Sequence, residues 1–227
     1  METIDTYVFA GYHVTVIRPE HPNGKWIWKT EFLYAFDTAE RALLSEGYTR
    51  VYYEISNKYG SDEAVRLMHA FHLHVTEKYG LEKKTVLFGF SRGGLYAFRY
   101  AMFYPELVAG MYLDAPVLDF STWPPKGSEE QAGLFAEYGL NADTLPVAPE
   151  NPVHRLADFL SLGLPLCIVA GGADEIVPFE ANAKKLLDLA AEKNYPVTSE
   201  IKPTCGHHPH SLEDPARIVN FVNNLVF

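Results

Sequence analysis

Cysteine is scarce in this chain, with two in 227 residues, Cys167 and Cys205. Such a pair builds no disulfide framework and sits in no metal-binding spacing. Basic residues are outnumbered, 19 Lys and Arg against 29 Asp and Glu, for a formal net charge of −10. A surface of that sign disfavours nucleic acid or an anionic membrane as partner. Long hydrophobic runs are missing too: no stretch approaches the roughly 18 consecutive apolar residues of a membrane helix. The opening Met1-Glu2-Thr3-Ile4-Asp5-Thr6 lacks the basic-then-apolar order of a secretory leader, so the cytoplasm is the expected compartment. There is no internal repeat and no low-complexity tract.

What is present is a globular composition, 48% hydrophobic and 21% charged, at a length suited to one domain over residues 1–227. Thr6 to Phe9 and Tyr12 to Arg18 read as a hairpin around Ala10-Gly11, followed by a Pro-, Asn- and Gly-rich loop, Pro19 to Lys25. Thr38 is placed to cap a helix ended by Gly47, and Val51 to Ile55 reads as a strand. Ser61 is placed to cap a longer helix with Asp62 and Glu63 in its first turn, an apolar stripe of Val65, Met68, Phe71 and Val75, and Gly80 at its end. His72 and His74, two apart on that helix, are expected on the surface. Further strands fall at Lys84 to Phe88, Ala109 to Leu113, Pro165 to Ala170 and Pro196 to Lys202, alternating with helices. That alternation predicts an α/β fold with a mostly parallel sheet, an antiparallel N-terminal hairpin and helices on both faces.

The chemistry concentrates at Gly89-Phe90-Ser91-Arg92-Gly93, which fits G-x-S-x-G between a buried apolar strand and a helix stopped before Pro105. A serine in a tight strand-to-helix turn is forced into a strained backbone, with its hydroxyl standing above the sheet edge. A serine hydroxyl needs an imidazole to take its proton, and the imidazole needs a carboxylate to fix its tautomer. Asp174 follows the strand Pro165 to Ala170 on a glycine-rich loop, and His207 follows the strand Pro196 to Lys202 at Cys205-Gly206-His207. A parallel sheet gathers all three at its carboxyl edge.

These residues resemble the α/β-hydrolases: the elbow Gly89 to Gly94, the loop Gly172-Ala173-Asp174-Glu175-Ile176-Val177-Pro178, and Gly206-His207-His208-Pro209-His210-Ser211-Leu212 before the last helix. More narrowly, the Trp-x-Trp loop Trp26-Ile27-Trp28, the Ser-Arg-Gly-Gly elbow and Asp114-Ala115-Pro116 are similar to a group of small bacterial hydrolases of uncertain substrate. The resemblance implies a serine esterase needing no cofactor or metal and acting on a small-molecule ester, with short acyl groups such as acetyl esters on carbohydrates expected. It also implies a short lid, placed at 118–150.

Ser91, Asp174 and His207 are therefore expected to be catalytic, as nucleophile, orienting acid and base. The backbone N–H of Arg92 is one expected oxyanion donor, and Trp26, in the Gly24 to Trp28 region, is named as the second. Trp28 and Trp123 are candidates to line the substrate cleft. Rivals stay open: Asp114 and Glu175 for the acid, and His208 and His210 for the base. The Arg92 side chain either binds a carboxylate or faces solvent, with solvent preferred. Three imidazoles within four positions suggest a metal site, but the helical H-x-x-x-H pair common in catalytic zinc sites is missing there. Cys205, beside the loop, is read as a bystander. A serine peptidase and a non-catalytic binding protein are the alternative functions.

Overall fold

The computed structural model describes residues 2–227. Its strands are β1 (Thr3–Phe9), β2 (Tyr12–Arg18), β3 (Trp26–Lys29), β4 (Thr49–Tyr53), β5 (Thr85–Phe90), β6 (Val108–Asp114), β7 (Leu166–Gly171) and β8 (Val197–Lys202). They form one sheet in the order β1-β2-β4-β3-β5-β6-β7-β8. β1 pairs with β2, and β2 with β4, antiparallel. Every other neighbour is parallel. Helices are α1 (Thr38–Ser45), α2 (Asp62–Tyr79), α3 (Arg92–Phe103), α4 (Glu129–Tyr138), α5 (Leu156–Ser161), α6 (Ala183–Glu192) and α7 (Ala216–Asn223). Among the described residues no helix is long and apolar enough to cross a membrane.

The central strands β3, β5, β6 and β7 are buried at every residue, which is why they read as continuous apolar runs rather than alternating ones. Their side chains still alternate between two cores. Trp26, Trp28, Leu87, Met111 and Leu113 meet residues of α2, α3, α5 and α6, while Ile27, Val86, Phe88, Phe90 and Tyr112 meet α1 and α7. The parallel β3, β5, β6 and β7 run the same way, so the loops leaving them collect at one edge.

Three expectations need correction here. Trp26-Ile27-Trp28 is part of a strand rather than a loop, inserted between β4 and β5. Thr38 is the first residue of α1 rather than its cap, a position taken by Asp37. The expected ends of α2 hold: the Ser61 hydroxyl accepts from Ala64 N–H, and Gly80 closes the helix at φ 63°. His72, however, lies in the core instead of on the surface. It is 1% exposed, with Nε2 2.8 Å from the Lys83 carbonyl and Nδ1 2.8 Å from the Tyr100 hydroxyl. His74 is half-buried and stacked on Phe9.

The segment after β6 carries α4 and folds back over the carboxyl edge. Phe120, Trp123, Leu134 and Leu145 pack with Tyr59, Leu95, Val117 and Val177 into a small apolar cluster of their own. α4 is clamped to the 56–61 segment: Glu137 takes Lys58 Nζ at 3.0 Å and the Ser61 hydroxyl at 3.0 Å, and the Tyr138 hydroxyl donates to the Tyr59 carbonyl at 2.8 Å.

Candidate active site

Ser91 stands between β5 and α3 at φ 50°, ψ −120°, a region an L-residue occupies only under constraint. The constraint comes from the end of β6, the chain just beyond it and the first turn of α3. Ser91 N–H donates to the Asp114 carbonyl at 2.9 Å, and the Ser91 carbonyl accepts from Val117 N–H at 3.0 Å and Gly94 N–H at 2.9 Å. The turn is thus held by backbone bonds on both sides, and the hydroxyl is left free to point over the sheet edge.

The loop after β8 brings His207 to it. His207 Nε2 lies 2.9 Å from Ser91 Oγ, and His207 Nδ1 lies 2.7 Å from Asp174 Oδ2. All three residues are buried, at 9%, 8% and 6% exposure for Ser91, His207 and Asp174. The other carboxylate oxygen, Asp174 Oδ1, accepts from the N–H groups of Ile176 and Val177, both at 2.9 Å. Burial alone would raise this carboxyl; the hydrogen bonds from His207, Val177 and Ile176 outweigh it and hold the group below its ordinary range. The acid therefore stays anionic and its partner nitrogen keeps a proton, leaving the His207 Nε2 lone pair for the serine.

The rival groups are accounted for elsewhere. Asp114 is paired with His210, Oδ1 to Nδ1 at 2.7 Å, and its Oδ2 accepts from the Tyr112 hydroxyl at 2.8 Å and Ser211 N–H at 2.6 Å. Glu175 is exposed. His208 is exposed and stacks on Phe36, and Cys205 is a half-buried free thiol whose Sγ lies 3.4 Å from the His208 carbonyl.

The expected oxyanion donors fare unequally. Arg92 opens α3 directly after Ser91, where the first N–H groups of a helix have no intrahelical partner, so its backbone N–H lies beside the nucleophile. Trp26 does not: it begins β3, at the opposite end of the sheet, 0% exposed, with its indole N–H donating to the Glu82 carbonyl at 2.9 Å. The chain reaches the site at the other end of β3. Thr30 N–H donates to the Phe88 carbonyl at 3.1 Å, and Thr30 Oγ1 lies 2.7 Å from the Gly93 carbonyl. The approach is close enough that a Cβ on Gly93 would fall 2.9 Å from Thr30 Oγ1 and 3.2 Å from the Glu31 nitrogen. Phe32 follows at φ 59°, half turned to solvent at 41% exposure. The segment 30–32 thus replaces Trp26 beside the elbow. Reading Trp-x-Trp as a strand rather than a loop would have moved the expectation to this position.

Trp28 lies in the core, 1% exposed and edge-on to Phe71 and Tyr100, and lines no cleft. Trp123 belongs to the cluster beside the acid loop, next to Val177. The Arg92 side chain, expected in solvent, instead turns inward. Its guanidinium lies 3.4 Å from the buried Glu31 carboxylate and between the rings of Phe32 and Tyr59, at 5.6 and 5.8 Å. Burial pushes the Glu31 carboxyl up, opposed by Arg92 and the Ser56 hydroxyl.

Comparison with solved structures returns the same architecture. An S-formylglutathione hydrolase from Staphylococcus aureus is 14% identical with a TM-score of 0.68, covering 98% of this chain and 95% of that one. Fluorophosphonate-binding serine hydrolase F from the same organism, also 14% identical with the same coverage, has a TM-score of 0.72. A puromycin-hydrolyzing peptidase from Mycobacterium tuberculosis is 12% identical with a TM-score of 0.71, covering 96% of this chain but 37% of that one. No curated protein sequence matches the chain. The family model described as alpha/beta hydrolase fold matches residues 37–157, more than half of the chain and including the Ser91 elbow, and the protein belongs to that family.

Proposed function

We propose that the protein is a serine hydrolase that cleaves carboxylic esters through an acyl-enzyme. The observation that carries this reading is the hydrogen-bonded series Ser91 Oγ, His207 Nε2, His207 Nδ1, Asp174 Oδ2, at 2.9 and 2.7 Å. Ser91 attacks the ester carbonyl while His207 takes its proton, and Asp174 stabilises the imidazolium that results. The tetrahedral oxyanion is met by the Arg92 N–H and by a backbone N–H of the 30–32 segment, each such donor worth on the order of 10²–10³ in rate. His207 returns the proton to the leaving alcohol, then activates the water that hydrolyses the acyl-enzyme.

The substrate assigned is a small ester with a short acyl group. Support comes from the way the edge is enclosed: Ser91 is 9% exposed, and α4 is tied to the neighbouring 56–61 segment by Glu137 and Tyr138 in its last turn. Around the triad stand exposed apolar residues, Phe32 beside Arg92, Phe36 against His208 and Ile176 on the acid loop, which suit an uncharged ester. A peptidase reading is kept because the same fold occurs in the mycobacterial peptidase.

The test is a panel of p-nitrophenyl esters of increasing acyl length and acetylated sugars, run beside matched anilides, with a fluorophosphonate label as a substrate-free probe. The expected result is labelling lost in Ser91→Ala, an optimum at two to four carbons (a range of about that size), and esters favoured over amides. Unlabelled wild-type protein would leave a binding protein on this scaffold; amide rates matching ester rates would make it a peptidase.

A further inference from the structure

The loop after β8 gathers three imidazoles that the hydrolytic reading does not use together. His207, His208 and His210 stand mutually edge-on, with ring centroids 4.7 to 5.0 Å apart and interplanar angles of 66°, 79° and 89°. One ring nitrogen from each lies within 4.8 Å of the others. The helical spacing sought in the sequence is missing, yet a loop brings the rings to one point.

A second observation makes the cluster more than a crowding of rings. His207 and His210 each have Nδ1 at 2.7 Å from a buried carboxylate oxygen, of Asp174 and Asp114 respectively. A carboxylate accepting from Nδ1–H fixes the tautomer and leaves the Nε2 lone pair outward, the arrangement that orients and strengthens metal-ligating histidines. Asp114 is itself fixed by the Tyr112 hydroxyl and Ser211 N–H, so the second ring is held as firmly as the first. His208 is exposed with its ring stacked on Phe36, and turning inward requires only that it leave that ring. Two buried carboxylates supply compensating negative charge.

We infer that His207, His208 and His210 form an inhibitory site for a divalent transition ion of the zinc class. Zinc binds imidazole nitrogen at about 2.0–2.1 Å, which sets tetrahedral nitrogens about 3.3 Å apart. The cluster reaches that spacing by rotation of His208 and small shifts of the other two. The ion takes the His207 Nε2 lone pair, which is the one that accepts the Ser91 proton. No bond to carbon is made and nothing is oxidised: the proton stays on Ser91 Oγ, the nucleophile stays neutral, and a chelator reverses the block. This metal opposes the reaction and is no cofactor for it. The inhibition, though not the binding, rests on the hydrolytic reading above.

The experiment separates the two. Zn²⁺ titrated calorimetrically into metal-free wild-type protein and into Ser91→Ala, with Co²⁺ absorption as a second probe, reports binding without catalysis. One ion per chain is expected in both proteins, with affinity falling at least about tenfold in His208→Ala and in His210→Gln, while His154→Ala serves as a surface-histidine control. In parallel, the fraction of p-nitrophenyl acetate turnover remaining at each Zn²⁺ concentration is read within each variant, so differences in basal rate cancel. The midpoint should rise at least about tenfold in His208→Ala and return to the zinc-free rate on adding a chelator. Turnover that Zn²⁺ leaves untouched, or binding equal in wild type and His208→Ala, overturns the inference while the hydrolase stands. Stoichiometric binding in a protein that hydrolyses none of the esters sustains the site and removes the hydrolytic reading.

Discussion

Gly94 and Pro116 leave no room for a methyl group between them: a Cβ on Gly94 would fall 2.4 Å from Pro116 Cβ and 2.7 Å from Pro116 Cα. The first turn of α3 is therefore pressed directly onto the chain leaving β6, and that contact helps to fix Ser91 in its strained turn. Gly94→Ala must displace one backbone or the other. Overpacking of this kind costs about 1–3 kcal/mol, and for a chain of this size each kcal/mol lowers the melting temperature by about 2–4 °C. Thermal unfolding should show that drop, and fluorophosphonate labelling of the folded variant should slow because the hydroxyl moves off line with His207. A variant labelled at the wild-type rate would separate the elbow's geometry from this contact.

The two carboxylate–imidazole pairs predict unequal mutants. Asp174→Asn leaves an amide facing His207 Nδ1 and favours the wrong tautomer, which costs about 10⁴ in kcat where a triad acid is neutralised. Asp114→Asn touches no reacting atom, so ester turnover should fall by less than about tenfold. Its effect should appear in stability instead, by about 1–3 kcal/mol, because three donors converge on that carboxylate and an amide cannot accept from all of them. Steady-state kinetics and urea unfolding on the two variants check this; the reverse ranking would make Asp114 the orienting acid.

How much of this was legible beforehand depended on how far apart the partners lie. The elbow, its strand and helix, and the Ser-Asp-His order are each signalled locally by turn glycines and apolar runs, and the residues meet as that order implies. α2 was readable for the same reason, since Ser61 and Gly80 mark its ends within the helix's own sequence. β3 was not: four residues buried on both faces give no alternation, and what makes them a strand is pairing to β4 and β5. With β3 hidden, Trp26 and Trp28 looked like site residues and the 30–32 segment passed unnoticed. Arg92 and His72 misled in a similar way. Their partners are Glu31 in one case, and Lys83 and Tyr100 in the other, and nothing local announces them.

Beneath the elbow lies a buried ion pair whose removal should be asymmetric. The Lys29 ammonium, at the end of β3, meets Glu40 Oε1, donates to the Ala35 carbonyl at 3.2 Å and sits 3.2 Å from the centre of the Phe90 ring. Burial lowers the lysine's affinity for its proton and Glu40 opposes that. Lys29→Met leaves the Glu40 carboxylate uncompensated in the core, which costs about 3–5 kcal/mol. The double variant Lys29→Met/Glu40→Leu removes both charges and should recover most of the loss. Urea unfolding of the three proteins supplies the comparison, and a double variant as unstable as the single one would assign the cost to packing rather than charge.

His72 predicts the direction of acid destabilisation. Burial pushes its pKa down from 6.5 to about 4. In the neutral ring Nε2–H donates to the Lys83 carbonyl and Nδ1 accepts from the Tyr100 hydroxyl; protonation puts a donor where that acceptor was. Between the two pKa values the unfolded chain binds a proton that the folded chain refuses. Stability from this group is therefore fully present above about pH 6.5 and is lost as pH falls toward 4, to a total on the order of 3 kcal/mol. Asp174, whose carboxyl is held low, adds its loss only in more acidic solution. Urea unfolding measured from pH 7 to pH 4 should show a slope approaching about 1.4 kcal/mol per pH unit from this proton. His72→Gln should be less stable at pH 7, because it disturbs both hydrogen bonds, yet lack that slope. An unchanged slope in the variant would transfer the acid sensitivity to another buried group.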